Sequence, residues 1–412
     1  MTAAVSISKI DIQNYRSCVD ASFSPTSGLS ALIGPNGSGK TTILSALRLL
    51  SALPQVRSYR SNQRTTVDPY STDCALRVHF ECGKYKVIYE AQISLIQNDR
   101  NEDEIRSAVE SWYLHSVTGS RKRAPIPMSA LVDFVHYPQG IRRALTDHLE
   151  GIYNNPEATK KIVVMLQDIN NYVQSITYYS ASIFTNPSSS PISFEVEVEN
   201  RFGSRRGISI TGHKKFLYDL YLSSKDDQST SYATFIDIVG DEGIGLIDKL
   251  SFQEIETSNS VYQVSVGGRI STRQKRNSLI IPNFTISNRS LSPSQLSEGT
   301  FKALALIFYI IADRGSLMMI EEPEVCVHHG LLSSIIELVK LYSVEKQIII
   351  STHSDQLLDH LSIDSVFKVE RGETGTVVSS VKKSLSAQEL SAIKDYLRNE
   401  GGLGEYWKHG EL

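Results

Sequence analysis

The stretch Gly34-Pro35-Asn36-Gly37-Ser38-Gly39-Lys40-Thr41-Thr42 constrains this chain more than any other. It satisfies the pattern G-x-x-x-x-G-K-[ST] at every fixed position. Its flanks fit as well. Leu29 to Ile33 reads as a short buried strand, and Ile43, Leu44, Leu47 and Leu50 recur at helical spacing up to Pro54, where the helix is expected to stop. The glycines let the backbone wrap closely around a polyphosphate and turn its N–H groups inward. The helix N-terminus behind them adds partial positive charge where the phosphates sit. In such a loop Asn36, Gly37, Ser38, Gly39, Lys40, Thr41 and Thr42 line the phosphates. Lys40 reaches the β- and γ-phosphates, and the Thr41 hydroxyl binds Mg²⁺.

The 412 residues leave room for two or three domains with ample core, and 41% hydrophobic with 21% charged residues is ordinary for a soluble globular protein. A formal net charge of −3 means that any nucleic-acid contact must come from local patches. Four cysteines, Cys18, Cys74, Cys82 and Cys326, form no C-x-x-C pair, so reduced thiols in a cytoplasmic protein are expected. The N-terminus lacks a signal-peptide layout. The longest apolar run, 303–312, is too short to span a bilayer, so no membrane anchor is expected.

Along the chain, Val5, Ile7, Ile10 and Ile12 predict a strand leading to Asn14-Tyr15-Arg16-Ser17. Leu76, Val78 and Phe80 alternate, Cys82-Gly83-Lys84 turns, and Tyr85, Val87, Tyr89, Ala91, Ile93 and Leu95 alternate again, an antiparallel hairpin. From Asn98 to Gln174 the pattern reads as mainly helical, with Ile162, Leu166, Ile169 and Val173 in one stripe. Ile176 to Tyr179 predicts a strand. Phe194, Val196 and Val198 face Ile208 and Ile210 in a second expected hairpin.

Further on, Leu296-Ser297-Glu298-Gly299-Thr300 opens an apolar helix running to Ala312, and Leu317 to Ile320 predicts a buried strand ending in Glu321-Glu322-Pro323-Glu324. After a helix over 330–342, Ile348 to Ile350 runs into Ser351-Thr352-His353. Strands alternating with helices predict a parallel α/β sheet with ligand groups at the strands' carboxyl ends. Taken singly, Ser297 reads as a helix cap, the glutamate pair as a solvated strand edge and His353 as structural. Their order, each at an element boundary, favours one shared site.

With these motifs the chain resembles the ATP-binding-cassette ATPases of the SMC/RecF/OLD-like branch, and within it the bacterial AAA-15/AAA-21-type family. The resemblance rests on Asn14-Tyr15-Arg16-Ser17, the phosphate loop, LSEGT at 296–300, MMIEEPE at 318–324, STHSDQLLD at 351–359 and Leu403-Gly-Glu-Tyr-Trp407. It implies an α/β fold: an ABC-type P-loop NTPase head with a mixed or parallel sheet, an antiparallel β-subdomain and a mainly helical insertion. Residues 1–97 would form the N-terminal half of the head and 98–290 a helical and mixed insertion. Residues 291–412 would form the C-terminal half, with the signature, the Walker B acids, the switch histidine and a C-terminal cap.

The resemblance also implies roles. Glu321 would hold Mg²⁺ with Thr41, Glu322 would take a proton from the attacking water, and His353 would bond the γ-phosphate. Asp is the commoner residue at the Glu321 position, so a longer side chain must fit. Ser297 and Gly299 would contact the ATP of a second subunit, implying a homodimer of heads or a higher homo-oligomer. Arg16 is a further nucleotide-binding candidate. Gln139 is one candidate for a glutamine loop and stays unassigned. Too few residues follow His353 for the Toprim nuclease of OLD-type proteins, so destruction of nucleic acid would need a separate subunit.

Relatives without their own nuclease are often paired with one in anti-phage defence systems. The leading expectation is therefore an ATPase that controls a separate effector, a nuclease. The alternative is a DNA-repair or chromosome-maintenance ATPase of RecF or SMC type with DNA as direct ligand. For that reading the basic groups Arg121-Lys122-Arg123, Arg142-Arg143, Arg201/Arg205/Arg206 with Lys214-Lys215, and Arg269/Arg273/Lys275/Arg276 would have to converge. Most such runs are solvated turns, and no aromatic interleaving supports base stacking. A transporter cassette fits poorly with the long interval between Lys40 and Ser297, and a nucleotide-locked structural subunit fits poorly with an intact Glu322.

Overall fold

The computed structural model describes residues 5–57, 72–83, 85–97, 103–115, 123–126, 156–197, 212–264, 270–325, 327–399 and 401–408. Contacts divide the chain into two units: 1–179 with 314–323 and 339–412, and 180–313 with 324–338.

The first unit contains an antiparallel sheet in the order β2-β1-β4-β5-β6-β7. Its strands are β1 (Val5–Tyr15), β2 (Cys18–Phe23), β4 (Thr72–Cys82), β5 (Tyr85–Gln97), β6 (Asp103–His115) and β7 (Arg123–Ile126). The hairpin expected around Gly83 is β4 with β5, in the register Leu76↔Ala91 and Cys82↔Tyr85. Alternating apolar residues on one face put Leu76, Val78, Phe80, Val87 and Tyr89 in the core.

Within 98–174, the described segments 103–115 and 123–126 are strands where helix was expected. β6 pairs with β5 along its whole length, so the boundary expected near residue 97 falls between neighbouring strands of one sheet. Glu104, Arg106, Ala108 and Glu110 are good helix formers that hid the strand. Pairing with β5 and burial of Ile105, Trp112 and Leu114 override that propensity. The helix Pro156–Gln174 carries the expected stripe of Ile162, Leu166, Ile169 and Val173.

In the second unit, the long strands β10 (Lys249–Val264) and β11 (Ile270–Ile286) form a hairpin extended by β12 (Arg289–Leu291). Phe194 and Val196, on β9 (Phe194–Glu197), pair with β11 opposite Ile280 and Ser278. Their expected partners Ile208 and Ile210 lie outside the described residues. The helix Glu298–Ala312 is apolar on nearly every side, as a helix surrounded by protein must be. Phe301 and Phe308 meet Phe216 of the helix Gly212–Ser224, and Phe308 meets Phe235 of Ser231–Val239. Lys302 on the same helix is buried, and its ammonium reaches Glu298 one turn back at 2.7 Å.

The second sheet of the first unit positions the phosphate loop. Its order is β16-β15-β3-β14-β13-β8. The strands are β3 (Leu29–Ile33), β8 (Thr177–Ser180), β13 (Leu317–Glu321), β14 (Gln347–Thr352), β15 (Val366–Gly372) and β16 (Gly375–Ser380). β15, β3, β14 and β13 run parallel, in the registers Lys368↔Ile33, Ile33↔Thr352 and Ser351↔Glu321. The carboxyl ends of β3, β14 and β13 are therefore level with one another. The helix α1 (Lys40–Arg57) packs between this sheet and the antiparallel one, burying Ile43, Leu44, Leu47 and Leu50. It runs past Pro54, where a stop was expected. A proline so near the C-terminal end removes only the bond to the Leu50 carbonyl.

Gln347 locks the first unit together. Its side chain is 2% exposed. Its amide accepts from the Ile7 N–H at 3.0 Å and donates to the Ile7 carbonyl at 2.9 Å and the Thr26 carbonyl at 2.5 Å. The Tyr172 hydroxyl also donates to it at 2.5 Å. Burial pushes the Tyr172 phenol well above its usual range, so it stays a donor.

Candidate nucleotide site

The phosphate loop joins β3 to α1 through backbone that side chains would disturb. Gly34, Gly37 and Gly39 have φ of 156°, 79° and 110°. A Cβ on Gly34 would come within 2.1 Å of the Val369 carbonyl oxygen, and one on Gly39 within 2.1 Å of Thr376 Oγ1. Lys40 folds back over the loop and donates to the carbonyls of Gly34 at 2.7 Å and Pro35 at 3.1 Å. The buried Ser38 hydroxyl has no hydrogen-bond partner.

The loop is braced from behind. Thr376 of β16 donates to the Ser38 carbonyl at 3.0 Å, and its hydroxyl lies 2.9 Å from that of Ser17. Ser17 in turn lies 3.1 Å from the Thr42 hydroxyl. Sequence reasoning missed Thr376, because a threonine in a strand carries no signal of its own.

The acidic pair stands at the end of β13. Glu321 accepts from the Thr41 hydroxyl with one carboxylate oxygen and from the Tyr178 hydroxyl with the other. Glu322 sits at φ 46°, a left-handed conformation unusual for a residue with a side chain, and its N–H donates to the Ser351 carbonyl at 2.9 Å. That twist sends the neighbouring carboxylates to different places. Glu322 Oε1 lies 3.6 Å from His353 Nδ1, just past the end of β14. Thr41, Glu321, Glu322 and His353 are thus brought together at the level strand ends.

Arg16 lies in the turn between β1 and β2, next to Ser17, whose hydroxyl reaches Thr42. Asn14 and Arg16 both have positive φ, at 55° and 49°. The Arg16 guanidinium is held by Asp103 at 2.8 and 2.9 Å, and the Tyr15 hydroxyl donates to the same carboxylate oxygen at 3.1 Å. Past His353, the helix Asp355–Asp359 receives the C-terminal segment: the Gly404 N–H donates to Asp359 Oδ1 at 2.7 Å. A Cβ on Gly402 would fall 1.9 Å from that oxygen.

Ser297 and Gly299 belong to the second unit. Ser297 is exposed and caps its helix, its hydroxyl accepting from the Thr300 N–H at 3.1 Å. Gln139 and the basic residues at 121, 122, 142, 143, 201, 205, 206 and 269 lie outside the described residues. Lys215 is paired with Asp219 and lies 5.5 Å from the Tyr309 ring, so it already has a local partner.

The residues present fit a nucleotide with a hard divalent cation. Thr41 and Glu321 offer oxygen donors, and Mg²⁺ usually takes one or two carboxylates together with substrate phosphates. The glycine cradle and the unpartnered Ser38 hydroxyl suit a phosphate beside them. Among the described residues no helix is long and apolar enough to cross a membrane.

The chain is similar to several known proteins. Residues 6–126 match the family model described as "AAA ATPase domain". Residues 245–359 match the one described as "AAA domain, putative AbiEii toxin, Type IV TA system". Curated relatives include the DNA replication and repair protein RecF of Shewanella frigidimarina, 41% identical over 14% of this chain and 16% of that protein. The OLD nuclease of Thermus scotoductus is 34% identical over 18% of this chain and 14% of that protein. The chain thus matches about a sixth of the length of these relatives. Among solved structures, it is similar to an SMC head bound to the C-winged helix domain of ScpA, at 16% identity and TM-score 0.46, over 92% of this chain and 99% of that one. It is also similar to the SMC head domain from Thermotoga maritima, at 12% identity and TM-score 0.42, over 91% and 98%.

Proposed function

We propose that this chain, a member of the ABC-type ATPases of the SMC/RecF/OLD branch, binds ATP with Mg²⁺, closes as a homodimer of heads around it, and hydrolyses it to control a separate effector subunit. The observation that carries the reading is the gathering of Thr41, Glu321, Glu322 and His353 around the phosphate loop. Phosphoryl transfer to water requires held phosphates, neutralised charge and an oriented nucleophile, and these residues supply each need. Lys40 exchanges its loop carbonyls for phosphate oxygens. Thr41 and Glu321 hold Mg²⁺, which neutralises charge on the phosphates. Glu322 accepts the proton of the attacking water, and His353, beside it, bonds the γ-phosphate. Ser297 and Gly299, exposed or half-exposed at a helix start, complete the site of a second copy.

The effector is a nuclease and the setting anti-phage defence in a bacterial cytoplasm. The toxin–antitoxin description of the model matching residues 245–359 supports a paired system. A second reading, an ATPase of DNA repair that binds DNA directly, is favoured by the similarity to RecF proteins.

One experiment separates them: the mass of Glu322→Gln protein with ATP and Mg²⁺, purified together with the product of its neighbouring gene. A nucleotide-bound dimer carrying a second protein supports effector control. A dimer that retains DNA and no protein moves the reading to repair, and a monomer with ATP bound refutes closure around nucleotide.

A further inference from the structure

We propose that Tyr178 is the positioning residue for the Glu321 carboxylate, and that the two work as a pair. The inference rests on the nucleotide-site reading above. Glu321 is one methylene longer than an aspartate, so its carboxylate has an extra rotatable bond to lose. In this fold both of its oxygens are taken, one by the Thr41 hydroxyl and the other by the Tyr178 hydroxyl. Tyr178 stands on β8, the strand beside β13 in the sheet, and so reaches Glu321 from the side opposite β14. Its ring is braced in turn by the Arg48 guanidinium, 5.6 Å from the ring centroid, on the helix that starts from the phosphate loop.

The chemistry of the two donors matters. Both are neutral hydroxyls, so they orient the carboxylate without cancelling the charge that a divalent cation needs. A lysine or arginine in place of Tyr178 would compete with the cation for that charge. Thr41 is itself a cation ligand in the nucleotide-site reading. Tyr178 is therefore the donor that keeps Glu321 in place once Thr41 is engaged. Partners of this outer kind set ligand orientation, and their loss typically weakens metal affinity by about 10-fold or more.

The test uses the full chain, a fluorescent non-hydrolysable ATP analogue and a titration of free Mg²⁺. Tyr178→Phe keeps the ring against Arg48 and removes only the hydroxyl. The half-saturating Mg²⁺ should rise about 10-fold, while analogue binding in EDTA stays at the wild-type level and so reports an intact fold. Glu321→Asp, too short to span both hydroxyls, should show a similar rise, and adding Tyr178→Phe to it should bring little further loss. A half-saturating Mg²⁺ for Tyr178→Phe within about twofold of wild type, with normal binding in EDTA, overturns the pairing. Fully additive losses in the double variant also overturn it. A wild-type chain with no affinity for the analogue would instead sink the nucleotide site itself.

Discussion

Thr376 donates its hydroxyl to the carbonyl of Ser38 at 3.0 Å, tying the last strand of the parallel-based sheet to the phosphate loop. The contact is buried, and Gly39 leaves the space that it needs. Thr376→Val keeps the shape and deletes the donor, leaving a buried carbonyl unpaired. That should cost about 1–3 kcal/mol, felt as loop disorder. Titration with a fluorescent ATP analogue should show affinity reduced by several-fold or more. Unchanged affinity would mean the loop holds its shape without the strut.

Ser297→Arg tests whether the signature serves a second subunit. The variant should bind nucleotide as the wild type does and hydrolyse it at a small fraction of the wild-type rate. Loss of the cap bond to Thr300 alone should cost about 1 kcal/mol, visible as a modest fall in melting temperature. Normal turnover of the pure variant would contradict action in trans.

Gln347→Leu should be among the more damaging single changes in the first unit. It strands the Ile7 N–H and carbonyl, the Thr26 carbonyl and the Tyr172 hydroxyl in a dry interior. Each buried orphan costs about 1–3 kcal/mol, so thermal unfolding by circular dichroism should shift down by well over 5 °C, on the order of 1 kcal/mol per few degrees. A small shift would show that water reaches these groups.

Cysteine reactivity offers a check that needs no nucleotide. Burial pushes the Cys74 and Cys82 thiols up to about 12 and raises that of Cys18, so all three stay protonated at neutral pH. Native protein exposed to iodoacetamide at pH 8 should carry no label at these positions by peptide mass mapping. Label should appear there once the chain is unfolded in guanidinium. Rapid native labelling of Cys74 would mean that the sheet opens readily there.

Much of the candidate site's placement in the fold was legible in the chain because its signals are local. A phosphate loop needs glycines and a lysine at fixed spacing between a strand and a helix, and β3 and α1 stand where the periodicity of residues 29–50 placed them. The acidic pair and His353 were legible for the same reason, each following an apolar run. The strand ends bring them together through the parallel register of β3, β14 and β13.

What the tertiary structure alone decided is what depends on distant partners. β6 became a strand because β5 offered it a ladder, against helix-forming residues along its length. Tyr178, Thr376 and Gln347 gained their roles from contacts with Glu321, Ser38 and Ile7, far away in the chain. A hydroxyl or an amide has no periodicity to betray its partner. Local spacing writes the backbone elements and the phosphate loop into the sequence, whereas the polar side chains that meet across the fold are paired only when the sheets have assembled and burial forces each polar group to find a partner.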